Sequence, residues 1–77
     1  MYPEGILIDK SRKNLIVFEK DINNPNNEGF IFFYEFREMK KRKLIFKQLL
    51  IKSIALKKWN NYLRKGWTKI EALNIAA

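Results

Sequence analysis

The 77-residue chain contains no cysteine and no histidine. Without cysteine it has neither a disulfide nor a thiolate metal site, a composition suited to a reducing compartment. Without histidine it lacks the commonest metal ligand and the usual general base. Glycine is scarce, and Gly5, Gly29 and Gly66 stand apart, so no glycine-rich phosphate loop is formed. No apolar run approaches the roughly 20 residues of a membrane-spanning helix. The opening MYPEGILIDK lacks the basic head and apolar centre of a secretory signal. The aspartates are Asp9 and Asp21 alone, while Glu19, Glu35 and Glu38 fall on or near strands. Cross-strand pairing with Lys or Arg is the ordinary role of such glutamates, and the spacing suggests no hard-cation site. The absences together predict a cytoplasmic protein that is not an enzyme, with no cofactor, no metal and no membrane span.

What the chain does have is positive charge, unevenly placed. Residues 1–38 hold five basic and seven acidic residues, a balance of −2, whereas residues 39–77 hold eleven basic residues and one acid, Glu71, a balance of +10. Asymmetry of this kind suggests an acidic partner: protein, nucleic acid or anionic membrane. A solvated basic face is the plainer alternative. Lys, Asn, Ile and Phe are all abundant, and an A/T-rich genome would supply them without selection for binding.

The first half reads as strands. Residues 6–9 and 14–20 are apolar runs around the polar, turn-like Lys10-Ser11-Arg12-Lys13, a hairpin pattern. Residues 21–29 carry four Asn, a Pro and a closing Gly, and predict a loop. FIFFYEFRE, within a strand over 29–37, alternates so that Phe30, Phe32, Tyr34 and Phe36 share one face. Four aromatics in a row predict the core beneath a helix. A base-stacking platform and a protein interface are the other uses of such a row.

The second half is harder to divide. Lys40, Lys41, Arg42 and Lys43 form a basic cluster near an expected turn, and residues 44–51 fit either a strand or the start of a helix. Stepping about 100° per residue from Ala55 places Tyr62, Ala55, Trp59, Leu63 and Leu56 on an arc of about 120° centred on Trp59. Lys57, Lys58, Arg64 and Lys65 lie opposite with Asn60 and Asn61. The periodicity breaks near Ser53, a good N-cap residue, so the helix is expected over 53–65 and residues 44–51 as mostly extended. Gly66 suits the left-handed position after a helix. A reversal there would return Trp67 beside Trp59 as a structural clasp, before a short strand near Thr68 to Ile70 and a loose tail over 71–77.

EGILIDK and ALKKWNNYLRKGW resemble the opening Gly-Trp-Leu-Ile-Asp and the closing Ala-Leu, Trp, Leu and Gly-Trp motifs of the small cyanobacterial proteins grouped as domain of unknown function 1651. The resemblance spans roughly Glu4 to Lys69, with one departure: Ile6 stands where that family often has Trp. It implies an origin in marine cyanobacteria or their phages and a structural role for Trp59, Leu63, Gly66 and Trp67, and it carries no assigned function.

The expected fold is therefore α+β, a single domain over 1–77 with a small antiparallel sheet of three or four strands packed on one C-terminal helix. Its expected core is Phe30, Phe32, Tyr34, Phe36, Ala55, Trp59, Leu63 and Trp67. Its expected partner-binding residues are Lys40, Lys41, Arg42, Lys43, Lys57, Lys58, Arg64 and Lys65, engaging an acidic protein or, alternatively, nucleic acid. One helix covers one side of a sheet, so a homodimer through the other side is a further expectation.

Overall fold

A computed structural model of the chain describes residues 2–37 and 41–71. They form β1 (Gly5–Ile8), β2 (Asn14–Lys20), β3 (Glu28–Arg37), β4 (Lys41–Ile51), α1 (Lys52–Arg64) and β5 (Thr68–Ile70). The strands make one sheet in the order β4-β3-β2-β1-β5, every neighbouring pair antiparallel. The class is the expected one, α+β with one C-terminal helix, but the described sheet has five strands rather than three or four. The extended reading of residues 44–51 stops short of β4, which runs on to Lys41. The three-residue β5 closes the sheet beside β1. Of the expected tail, only Glu71 lies among the described residues.

Chain order explains the sheet order. Hairpins place β1 to β4 side by side, and α1 then crosses one face to deliver β5 to the far edge, next to β1. The first turn is held by Asp9, whose carboxylate accepts the Lys13 and Asn14 backbone N–H groups, the Ser11 hydroxyl and the Asn14 amide. Arg12 takes a left-handed φ of 60° within it. Burial raises the Asp9 pKa, but these hydrogen bonds outweigh it and hold the carboxyl below its ordinary value. The Asn-rich loop is similarly tied. Asn24 bridges to Glu28 and accepts from the Asn27 amide, and Asp21 donates its N–H to the Glu28 carbonyl.

The helix begins at Lys52, directly after β4, rather than at a serine cap. Ile51 is its extended N-cap residue and offers no side-chain hydrogen bond. The Lys52 N–H instead donates to the Asn27 carbonyl at 2.8 Å, so the loop satisfies the first helical donor and Ser53 is left inside the turn. At the other end Gly66 sits at φ 101°. The Gly66 N–H donates to Leu63 O and the Trp67 N–H to Tyr62 O, the paired bonds of a Schellman motif. The ring contact that often accompanies this motif is present, with Tyr62 and Trp67 at 4.9 Å.

The core lies between α1 and the sheet face formed by Leu7, Ile16, Phe18, Ile31 and Leu50. Tyr2 and Ala55 complete it, and Phe33, Trp59, Tyr62 and Trp67 pack against it. Each large apolar side chain fully buried there contributes about 1.5–3 kcal/mol. The expectation that Phe30, Phe32, Tyr34 and Phe36 lie beneath the helix is therefore corrected. The helix covers the other face of β3, that of Gly29, Ile31 and Phe33, and the four aromatics face away from it, half-buried.

The reason is room. Gly5 and Gly29 lie on the helix-side face, since Gly5 pairs with Phe18 and Gly29 with Leu50. A Cβ on Gly29 would collide with the Glu19 carbonyl and meet the Tyr2 ring at 2.7 Å, and one on Gly5 would meet the Trp59 ring at 3.1 Å. The two glycines make space for bulky rings inserted from outside the sheet. The unbroken aromatic row offers no such space.

Leu63 is also corrected, being 40% exposed. The buried stripe runs through Ala55, Trp59 and Tyr62, at i, i+4 and i+7. It is centred nearer Ala55 than Trp59, and Leu63 falls at its margin.

Candidate functional site

Two surfaces combine unusual side chains with access to solvent. The first is the aromatic face of β3 and β4. Phe30, Phe32 and Tyr34 form a ladder with centroid spacings of 6.3 and 6.5 Å. The Lys47 ammonium lies over Phe30 at 4.7 Å and over Phe32 at 5.4 Å, and the Arg42 guanidinium lies over Tyr34 at 5.4 Å. Cross-strand register explains the contacts, since Phe32 pairs with Lys47, Phe36 with Arg42 and Tyr34 with Leu44. Glu19 pairs with Phe30 on the same side and leaves a carboxylate beside the ladder. On this face toward β1, Ile8 and Leu15 are buried, while Ile6 and Val17 are half-buried like the ladder rings.

The second surface is the run from β4 through α1. Residues 41–65 carry nine basic side chains and no carboxylate. Along the helix, Lys57, Asn60, Asn61, Arg64 and Lys65 are exposed and Lys58 is half-buried, so the outer side of α1 is mainly polar and positive, with Ile54 also exposed on it. Arg64 donates to the Asn61 side chain at 2.8 Å, which fixes its guanidinium on that side. Lys65 caps the helix C-terminus, where a cation complements the helix dipole. The ion pair between Lys20 and Glu4, at 3.7 Å, joins residues outside this run.

The expected binding residues therefore do not form one patch. Lys57, Arg64 and Lys65 share the outer side of α1, with Lys58 toward its margin. Arg42 is directed to the aromatic face, whereas Lys43 pairs with Glu35 on the opposite face of the sheet. Lys41 lies in β4 opposite Arg37, and Lys40 falls outside the described residues. Lys47 was missing from the expected set although it makes the closest cation contact with the ladder. Its signal was hard to see, because the bulge at Ile45 shifts the register between Phe33 and Tyr34. Simple alternation through β4 does not say which face Lys47 shares with which aromatic.

Further properties follow from the described residues. No helix among them is long and apolar enough to cross a membrane, and no group of three carboxylates gathers among them to hold a metal ion. Compared with known proteins, the chain matches no protein-family model, no curated sequence and no solved structure.

Proposed function

We propose that the protein is a non-catalytic binding module whose basic β4–α1 side engages an acidic protein partner. The observation that carries this reading is the uninterrupted basic character of β4 and α1. The run of nine basic side chains without a carboxylate lies along the edge strand and the outer helix, while the helix aromatics Trp59, Tyr62 and Trp67 are packed against the core. A surface of this kind offers long-range attraction and many single-point contacts to carboxylates. The helix rings are packed inward, and the exposed Phe46 of β4 is already stacked on Phe33 at 5.4 Å. Small size, the absence of histidine and cysteine and the hydrogen-bonded state of Asp9 support a role without catalysis. The same reading takes the chain as a relative of the cyanobacterial family it resembles.

A second reading, single-stranded nucleic acid, is favoured by the ladder of Phe30, Phe32 and Tyr34. A stacking groove combines exposed ring faces with free cations along the phosphate path. Here Lys47 and Arg42 already lie over those rings, and Glu19 stands beside them. The protein reading is therefore preferred.

Affinity capture tests it, comparing wild type with the double variant Lys57→Glu, Lys58→Glu from nuclease-treated and untreated extract. The expected result is capture of acidic protein that survives nuclease and is lost in the variant. Capture that disappears with nuclease, together with oligonucleotide binding by the pure protein, would reverse the order of the two readings.

A further inference from the structure

Resting on that reading, we infer that the free edge of β4 receives an extended acidic segment of the partner as a sixth strand, so that recognition occurs through backbone hydrogen bonds as well as charge. The two edges of the sheet differ sharply. β5 is three residues long, whereas β4 is eleven and, among the described residues, has β3 on one side only. A long edge strand presents a row of unpaired N–H and C=O groups. The phase of that row follows from bonds on the inner strands. Lys52 N–H donates to Asn27 O, Asp21 N–H to Glu28 O and Phe36 N–H to Lys13 O. Along β3, backbone groups therefore alternate between β4 and β2, and Gly29 and Ile31 bond Leu50 and Gln48. The N–H and C=O groups of Lys47 and Leu49 and the N–H of Ile51 consequently point away from the sheet, while the Ile51 carbonyl serves the helix N-cap.

Their side chains share the face away from the helix, where Leu49 is 53% and Ile51 54% exposed. A strand laid antiparallel along this edge would set two apolar side chains beside Ile51 and Leu49 and a carboxylate beside Lys47. Read from its N-terminus, its pattern is apolar-x-apolar-x-acid, with further acids continuing toward Lys43, Arg42 and Lys41. Strand addition of this kind takes affinity from the main chain and specificity from alternate side chains.

Charge selects this occupant over a second copy. β4 contains Lys41, Arg42, Lys43 and Lys47 and no acid, so a second copy of β4 would bring four more cations to this edge and no carboxylate to offset them, and every register that pairs residues 41–47 with each other opposes like charges. Edge lysines and a bulge are the usual devices against self-pairing. Here the same lysines attract an acidic strand.

The probe is a capped synthetic peptide containing Val-Thr-Val-Thr-Glu followed by Asp-Glu-Asp. Its controls are the same peptide with Lys at every acid, the same peptide N-methylated at its second Val, and polyglutamate. Amide hydrogen exchange of the full chain is read by NMR. The expected result is binding of the acidic peptide with exchange at Lys47, Leu49 and Ile51 slowed about tenfold or more, no binding of the Lys peptide, and about tenfold weaker binding after N-methylation. Leu49→Pro removes one outward N–H without touching the β3–β4 ladder and should weaken binding alike.

Peptide binding that leaves these amides unprotected and ignores N-methylation overturns strand addition while the acidic-partner reading stands. Binding of polyglutamate but not of the peptide does the same. Failure of both removes the acidic-partner reading as well. A peptide-free dimer with protected amides at the same three positions names a second copy as the occupant and overturns the inference.

Discussion

One face of β3 carries four aromatic residues and the other Gly29, Ile31, Phe33 and Glu35, and the two meet different fates. On one side Gly29, Ile31 and Phe33 lie under the helix, with Ile31 fully buried. On the other, one residue along at each step, Phe30, Phe32, Tyr34 and Phe36 remain half-buried, and Lys47 and Arg42 lie over the first three of these rings. Aromatic content alone does not decide which side of a strand becomes the core. Complementarity of shape decides it: the side with glycine admits Tyr2 and Trp59, whose rings supply the bulk the sheet itself lacks. Phe18 meets Trp59 edge to face at 5.0 Å and 88°, and Phe33 meets Trp67 at 6.3 Å, favourable geometries for aromatic pairs.

The comparison can be broken most forcefully at Trp59. Trp59→Ala empties the space above Gly5 and Phe18 and should cost about 3 kcal/mol or more, read as a lower urea midpoint with an unchanged slope. Gly29→Ala fills the space that Tyr2 needs. Overpacking against the Glu19 carbonyl and the Tyr2 ring should cost about 2–3 kcal/mol and release the Tyr2 hydroxyl from the Leu50 carbonyl, its 3.2 Å acceptor. On the opposite face Phe32→Ala removes a half-buried ring whose neighbours are other rings and Lys47, and about 1–2 kcal/mol is expected. A cost at Phe32 equal to that at Trp59 would mean that the two faces are equivalent cores.

Acid probes the first hairpin rather than either face. The folded pKa of Asp9 lies below its ordinary value, so its stabilisation is fully present above the unfolded pKa, about 3.9, and is lost as pH falls through the lower folded value. Asp9→Ala should lower stability at neutral pH and flatten the dependence of stability on pH in that acid window, as followed by circular dichroism. The smallest effect on stability, within about 0.5 kcal/mol, is expected for Lys57→Glu with Lys58→Glu, whose consequence should appear in binding instead.

Much of this architecture is written locally. The apolar run of β2, the turn at Asp9 and the helix end at Gly66 follow from neighbouring residues. So does the charge of the second half. What could not be read locally is the choice of face on β3. That choice depends on Tyr2 and Trp59, which lie 28 residues before and 29 residues after Phe30 in the chain. The glycines at 5 and 29 were the available signal. Each is in step with buried residues of its own strand, Gly5 with Leu7 and Gly29 with Ile31. The start of the helix was obscured for a similar reason, because its first donor is satisfied by Asn27 across the sheet rather than by a capping side chain nearby. For the candidate site, the charge of the helix was legible. The outward row of Lys47, Leu49 and Ile51 was not, since it requires knowing that β4 is an edge and that Ile45 bulges.

Tryptophan emission does not distinguish the two functional readings, because Trp59 and Trp67 lie on the helix side of the sheet and the aromatic ladder lies on the other. The most direct measurement is a residue-resolved NMR titration of the full chain at physiological salt, with polyglutamate in one series and a single-stranded oligonucleotide in the other. Amide shifts confined to β4 and the outer side of α1 with polyglutamate, and no response to the oligonucleotide, are predicted. Shifts at Phe30, Phe32 and Tyr34 with the oligonucleotide, and none with polyglutamate, would contradict the account.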